Sequence, residues 1–508
     1  MVEPDEKRVI IIGGGPAGLT AAYELCKANV ASVVLEKDSI MGGLSRTVSY
    51  KGYHFDIGGH RFFTKVKAVD DLWREVLPNG DFLRRKRLSR IYYNNRFLHY
   101  PLRFSSALFH IGLLNALLIL ASYLRAQLFP RKHVETFEHW VTNRFGRRFY
   151  QLFFKTYTEK VWGIPCAEIT ADWAAQRIKD LSLASTLRNL LFKQREKNKG
   201  TIIKTLIEEF DYPRRGPGMM WERMGALVAE RGGTVRLKTR LQSIEWSAGR
   251  VERIIVNSDG KREAVNGSHF ISSMPISELV RSLDPPAPSA VQTAAEKLNY
   301  RDFITVVLIV NRSDIFPDNW IYIHDPDVKM GRIQNFKNWS PYMVADPAKT
   351  CLGLEYFCFE GDRLWMMSDA ELIELGKLEI EKVCLVKATE VEDGVVVRVP
   401  KAYPVYDHTY KQSLTVIRSF LSPLENLQLV GRNGMHKYNN QDHSMLTAML
   451  AVKNILGASY DLWEVNTEQE HIEEAGEEAR QYKLLASTQP PVPERVQALR
   501  QTALESKI

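Results

Sequence analysis

Cysteine is scarce. Five residues in 508 (Cys26, Cys166, Cys351, Cys358, Cys384) form an odd set without a CxxC pair. That excludes a disulfide framework and a thiolate metal centre, and it fits a reducing compartment. No other metal-ligand spacing occurs, so no metal is expected. No internal repeat is visible, which excludes solenoids and propellers. No apolar run reaches the ~20 residues of a spanning helix. The longest, Leu108–Leu124, covers seventeen, is interrupted by His110 and Asn115, and is flanked by Arg103 and Arg125. A buried helix and a peripheral membrane contact through 108–124 both suit it, the second helped by Arg84-Arg85-Lys86-Arg87. Charge of one sign is not in large excess: 68 Lys and Arg against 60 Asp and Glu leave +8. That balance suits an anionic small ligand or a membrane surface as well as nucleic acid; no nucleic-acid partner is expected. A strand-like run, Val9–Ile12, follows the polar MVEPDEKR and leaves no room for a signal peptide. The expected location is cytoplasmic, with or without membrane association.

Apolar residues make up 45% and charged residues 25%, the balance of a chain with a real core. Its length suggests roughly three domains at ~100–200 residues each. The first 60 residues read strand, glycine turn, helix, strand. A largely helical stretch runs from about Pro101 to Lys199, with amphipathic segments such as Phe137–Phe154. Short β-runs return from Gly216 to Ser273. Strand-like runs then dominate Asp302–Pro400: Ile304–Val310, Trp320–Ile323, Leu352–Phe359 and Gly394–Val399. Asn426–Val430 follows, then a glycine turn and a helix to Leu456. The tail carries seven acidic residues from Glu464 to Glu478 and reads as a solvated helix.

Gly13-Gly14-Gly15-Pro16-Ala17-Gly18 matches GxGxxG directly after an apolar strand and at a helix start. Gly13 permits the tight turn, Gly15 lets a pyrophosphate approach the backbone, and Gly18 lets helix and strand pack closely. The helix N-terminus supplies free N–H groups and partial positive charge for phosphates. Glu36 ends the second strand and can accept both ribose hydroxyls of an adenosine while repelling a 2′-phosphate. Two further features favour FAD over NAD. Met41-Gly42-Gly43-Leu44-Ser45-Arg46 follows the acid, and Gly431-Arg432-Asn433-Gly434 returns late in the chain between a strand and a helix.

This pattern resembles the FAD-dependent amine oxidase, protoporphyrinogen oxidase and desaturase superfamily, and within it the UDP-galactopyranose mutase branch. Landmarks run from residue 13 to about 457. Phe55-Asp56-Ile57-Gly58-Gly59-His60 resembles the mutase loop against the flavin. Tyr157-Thr158-Glu159-Lys160-Val161-Trp162-Gly163 resembles the segment that holds the nucleotide base. Arg177 stands where those mutases carry a diphosphate-binding arginine. Trp320-Ile321-Tyr322 with Arg332, Ala402-Tyr403-Pro404-Val405-Tyr406, and Tyr438-Asn439-Asn440-Gln441-Asp442-His443-Ser444 resemble their remaining arginine and tyrosine segments. Arg103, after Tyr100-Pro101, replaces an expected amide, which leaves the base and the sugar open.

The resemblance implies an α/β fold: a discontinuous Rossmann-type FAD-binding domain (1–100, 201–275, 401–463) with an inserted helical substrate domain (101–200), an inserted antiparallel-sheet substrate domain (276–400) and an acidic helical tail (464–508). It implies FAD held by Gly13, Gly15, Pro16, Ala17, Gly18, Glu36, Lys37, Gly43, Leu44, Arg46, Gly58, Gly59, His60, Leu241, Gly431, Arg432, Asn440, Gln441 and Ser444. It implies a nucleotide-sugar substrate held by Tyr100, Tyr157, Thr158, Trp162, Arg177, Tyr322, Arg332, Tyr403, Tyr438 and Asn440, with His60, Arg177 and Arg332 carrying catalysis. The implied reaction interconverts pyranose and furanose forms of an NDP-sugar through an N5 sugar adduct of reduced FAD. Two arginines and several phenols would stabilise the leaving diphosphate. The helix beginning near Gln441–Ser444 would face the flavin with its positive end, capped by Asp442. No second GxGxxG is present, so NAD(P)H entering through the sugar site is a candidate reductant. The alternative is an FAD-dependent oxidoreductase of the same superfamily acting on a lipidic or other small substrate, a reading that Leu108–Leu124 motivates.

Overall fold

The computed structural model describes residues 7–78, 80–100, 113–171, 173 and 209–466. Arg177, residues 108–112 of the apolar stretch, Arg103 and the tail from residue 467 lie outside the described residues.

A five-stranded parallel sheet forms the nucleotide layer. Its order is Leu427–Leu429, His269–Ser272, Arg8–Ile12, Ala31–Leu35, Thr234–Arg236. The central strands bury apolar runs, Val9–Ile12 and Val33–Leu35, because helices cover the sheet, among them Pro16–Lys27, Gly218–Glu230 and Gln441–Ile455. Three distant parts of the chain thus meet in one sheet, in agreement with a discontinuous α/β domain. A four-stranded side sheet (Thr239–Ser247, Arg250–Ser258, Lys261–Asn266, Leu283–Asp284) extends this layer.

The second large sheet has seven strands: Val391–Pro404, Tyr300–Val310, Thr350–Cys358, Arg332–Asn335, Trp320–Ile323, Ser89–Tyr93, Arg96–His99. All neighbours pair antiparallel except Trp320–Ile323 with Ser89–Tyr93. The central strand Tyr300–Val310 is buried along its whole length. Ile304, Val306 and Leu308 pack on one side with the helix Asp369–Lys382, while Val307 and Ile309 pack on the other with Trp339 and Phe336. Boundaries expected at residues 100 and 276 shift accordingly. Ser89–His99 joins the seven-stranded sheet by hydrogen bonding, and Ile276–Leu298 buries its apolar side in the core of the five-stranded layer.

The helical part packs Leu113–Leu128, Phe137–Phe145 and Arg147–Phe149, followed by a π-helical turn, Tyr150–Lys155, and the helix Thr156–Trp162. π-turns widen a helix and occur mostly at functional places. This one leads into the helix that sets the Tyr157 ring against Tyr322 of the seven-stranded sheet.

Candidate active site

The glycine turn closes as its sequence requires. Gly13 has φ +107 and donates its N–H to the Leu35 carbonyl at 2.8 Å. A Cβ on Gly18 would lie 1.9 Å from the Gly13 oxygen, so only glycine fits between strand and helix. Gly42 donates to the Gly14 carbonyl at 2.8 Å, laying the second glycine pair on the first, and a Cβ on Gly43 would meet the Gly15 Cα at 3.1 Å. Gly13, Gly15, Pro16, Gly43 and Leu44 nevertheless keep exposed surface, the open cradle that a pyrophosphate needs. Glu36 is buried and accepts from Gly14 N (2.7 Å) and Asp38 N (2.9 Å). Burial raises its pKa above the usual carboxylate range, and the two N–H donors oppose that. Each oxygen retains a lone pair for a ribose hydroxyl. Arg46 pairs with Asp38 at 2.5 Å, Lys37 is exposed beside Glu36, and Leu241 is half-buried against the same layer.

The carboxy-terminal segment completes the cradle. Gly431 (φ +79) receives the Thr447 hydroxyl oxygen on its N–H at 3.0 Å, and a Cβ there would touch Ala17 Cβ at 3.1 Å. The helix Gln441–Ile455 starts beyond Asn440, its N-cap. Asn440 N–H donates to His443 Nδ1 at 3.4 Å. The cap is therefore Asn440 and not Asp442, which is buried inside the first turn beside Gln441 and Ser444.

The loop Ile57–His60 hangs from Asp56, which accepts the Tyr212 hydroxyl (2.6 Å) and the Thr47 hydroxyl (2.8 Å). Gly58 has φ +132, and its carbonyl lies 3.1 Å from His60 Nδ1. A carbonyl only accepts, so Nδ1 carries the ring proton and Nε2 is an acceptor. Burial, then the Arg432 charge, pushes His60 down to about 3, so this imidazole is neutral.

Register assembles the polar wall. Tyr322 lies opposite Arg332, and Arg332 opposite Glu355, in one row across three neighbouring strands. Arg332 Nε is 3.4 Å from Glu355 Oε2, and Gln334 Nε2 donates to Glu355 Oε1 at 2.8 Å. Burial opposes the Arg332 charge, but Glu355 together with Tyr157, Tyr403 and Tyr322 outweighs it and holds the guanidinium protonated well above its ordinary range. Arg332 Nε and Glu355 Oε2 face each other as an ion pair outside hydrogen-bond geometry, and Gln334 Oε1 is a buried polar atom without a hydrogen-bond partner. The absent side chain of Gly59 brings this wall close: a Cβ there would lie 2.8 Å from Gln334 Nε2 and 3.5 Å from Arg332 NH1.

Two aromatic groups flank Arg332. Tyr322 meets Tyr100 and Tyr157 edge-on at 5.3 and 5.7 Å, and Tyr157 stacks on His324 at 4.4 Å. Tyr403 stacks on Tyr438 at 5.6 Å, with Arg432 over both rings and Trp162 about equally close to each, at 6.2 and 6.1 Å. Burial raises the Tyr157 and Tyr403 phenols above their ordinary range, so both keep the proton they can donate. Arg432 also donates to the Asn439 and Ala402 carbonyls, bracing the phenol pair. Thr158 and Trp162 are buried in the helical core, Trp162 with its ring against the two phenols.

The structure thus brings Tyr100, Tyr157, Tyr322, Arg332, Tyr403 and Tyr438 around the Gly58–His60 loop, with Asn440 on the adjoining helix end. Glu355, Gln334 and His324 join them and were not anticipated. Glu355 had a signal, a lone acid inside the apolar run Leu352–Phe357; His324 follows Tyr322 by two residues, the spacing of one strand face.

The profile of flavin containing amine oxidoreductases matches residues 16–455. A crystal structure of reduced UDP-galactopyranose mutase superposes with a TM-score of 0.76 at 20% identity, covering 92% of this chain and 99% of that one. Curated relatives match only locally. An inactive all-trans-retinol 13,14-reductase of Danio rerio is 47% identical over 55 residues, 11% of this chain and 9% of its own. The L-amino acid oxidase Cdc18 of Crotalus durissus cumanensis is 32% identical over 115 residues, 20% of this chain and 23% of its own. The chain therefore spans less than a quarter of the length of these two relatives.

Proposed function

The chain belongs to the flavin containing amine oxidoreductase family, and from that premise we propose that it is a flavin-dependent mutase interconverting pyranose and furanose forms of a nucleoside-diphosphate sugar. FAD is its cofactor, and the cradle of Gly13, Gly15, Gly43 and Glu36 fits it. Reduced FAD supplies an electron-rich ring nitrogen for an anomeric carbon, and the protein supplies position and charge.

The observation that carries the proposal is the row Tyr322–Arg332–Glu355 beside the Gly59 backbone. A departing diphosphate gains negative charge. Arg332, kept protonated by Glu355, and the protonated phenols Tyr157 and Tyr403 meet that charge with donors already in place. Tyr322 and Tyr438 offer further hydroxyls. His60, neutral with Nδ1 committed to Gly58, acts as an acceptor and not as an acid. With FAD bound, the N-terminal end of Gln441–Ile455 would favour negative charge on a nearby reduced ring. Arg177 would supply the second guanidinium.

The test uses dithionite-reduced and oxidised protein with UDP-, dTDP- and GDP-pyranoses, and reads furanose product by ion-exchange chromatography. Product from the reduced form alone is expected, with a loss of about 100-fold or more in Arg332→Ala. Equal turnover in both redox states, or none with any nucleotide sugar, would refute the mutase reading.

A second reading, an oxidoreductase acting on a lipidic or other small substrate, draws on the apolar wall of Trp162, Tyr403 and Tyr438 and on the oxidoreductase names of the relatives. Anaerobic bleaching of the flavin by such a substrate, with no nucleotide sugar turned over, selects it.

A further inference from the structure

The helix Leu113–Leu128 has two unlike faces. The inner one is fixed to the protein. Ile119 and Tyr123 are buried, Asn115 Oδ1 accepts from Arg148 NH2 at 2.8 Å, Ser122 Oγ accepts from Arg148 N at 3.0 Å, and Gln127 Nε2 donates to the Asn143 carbonyl at 3.0 Å. Gly146 packs so tightly beneath it that a Cβ there would lie 2.7 Å from the Tyr123 backbone nitrogen. The outer face carries Leu114, Leu117, Leu118, Leu124 and Leu128, exposed by 73, 56, 46, 51 and 72%, and Phe129 follows at 78%. Spacings of three and four residues put these leucines on one stripe. A soluble surface scatters its exposed leucines singly; a contiguous stripe of this kind marks an interaction site.

Charge identifies the partner. Arg125, Arg131 and Lys132, at the end of the apolar stripe, are exposed. An apolar stripe with a cluster of exposed cations at its end matches a bilayer with anionic headgroups, where leucines enter the acyl boundary and cations remain at phosphate level. Among the described residues no helix is long and apolar enough to cross a membrane, so the helix would lie in the interface. We propose that Leu113–Phe129 is a monotopic docking surface for an anionic lipid bilayer, carrying the protein on the membrane without spanning it.

The test is flotation of the flavin-loaded full chain with phosphatidylcholine vesicles and with vesicles containing phosphatidylglycerol. Binding to the anionic vesicles is expected, weakening as salt rises. Leu117→Glu with Leu124→Glu should lower the bound fraction about tenfold or more, with flavin content and circular dichroism unchanged, because both side chains already face water. Arg131→Ala with Lys132→Ala should weaken binding to anionic vesicles alone. Equal flotation of wild type and the Leu double variant, or no flotation of wild type, would overturn the proposal. So would a dimer in solution that Leu117→Glu splits without any vesicle binding, which would make a second copy the occupant.

Discussion

Gly15 and Gly18 lie in one turn, yet an added methyl meets different surroundings at each. At Gly18 it would lie 1.9 Å from the Gly13 carbonyl oxygen; at Gly15 the nearest atom is the Gly43 Cα at 3.6 Å, an ordinary contact. Gly15→Ala should therefore fold normally and purify without flavin absorbance, whereas Gly18→Ala should lose the cooperative thermal transition itself. The Arg332–Glu355 pair gives a second residue-scale prediction. Arg332→Ala strands a carboxylate that is 1% exposed. Uncompensated buried charge costs about 3–5 kcal/mol. The double variant Arg332→Ala/Glu355→Ala should recover part of that loss in urea denaturation, while catalysis stays abolished in both. Non-additivity of this sign separates the structural part of the pair from its work on substrate. Sequence alone singled out Arg332 but not Glu355, because the partner of a buried charge lies one strand away in space and 23 positions away in the chain.

At the scale of elements, the short helix Thr156–Trp162 owes its placement to two cations. Lys160 Nζ sits among the carbonyls of Ile323, Asp325, Val328 and Met330 at 2.7–3.3 Å, its three N–H groups shared among the four oxygens, tying the helix to the end of strand Trp320–Ile323. Arg301 donates to the Val161, Lys160 and Phe357 carbonyls, closing the helix C-terminus onto the sheet at Gly163. Both act on Tyr157 from outside the site. Lys160→Met leaves carbonyls unpaired and should lower stability by about 1–3 kcal/mol. It should also raise KM more than it lowers kcat, since it loosens a binding phenol and leaves Arg332 in place. The expected elements were legible where periodicity is strong: the strand Ile304–Val310, the glycine-turn helix and the helix before Leu456 all occur. The π-turn Tyr150–Lys155 carries no sequence signal. Ser89–His99 reads as part of the nucleotide half until its backbone pairs with Trp320–Ile323.

For the whole molecule, burial of titratable groups sets the pH range of stability. His324 is pushed down to about 3 by burial and then by Lys160, and His436 to about 4 by burial. Below their ordinary 6.5 the unfolded chain binds protons that the folded chain refuses. Stability that is full above about pH 6.5 is thus lost as pH falls, by up to about 1.4 kcal/mol per pH unit for each imidazole. Asp56 runs the other way. Burial lifts it to about 7 from 3.8, so its contribution is full below 3.8 and lost as pH rises through about 7. Thermal scans should show a maximum near pH 6.5 and a fall on the acid side. His324→Phe, which keeps a ring against Tyr157, should flatten that fall, and Asp56→Asn should steepen it.

By itself the sequence determined the cofactor cradle and the class of fold. A glycine turn, its strand, its helix and its acid are local, and their chemistry is dictated by spacing along one chain. It also marked Arg332, Tyr157, Tyr322, Tyr403 and Tyr438 as site candidates. Only the tertiary structure decided which groups stand beside one another. Strand register put Tyr322, Arg332 and Glu355 in a row. The returning turn at Gly431 set Arg432 between the stacked phenols and the amino-terminal helix. The apolar run at Leu108–Leu124 admitted both a buried and a membrane-facing helix. Only the tertiary structure shows that its described part buries Ile119 and Tyr123 and exposes Leu114, Leu117, Leu118 and Leu124, because exposure is a property of neighbours and no residue carries it alone.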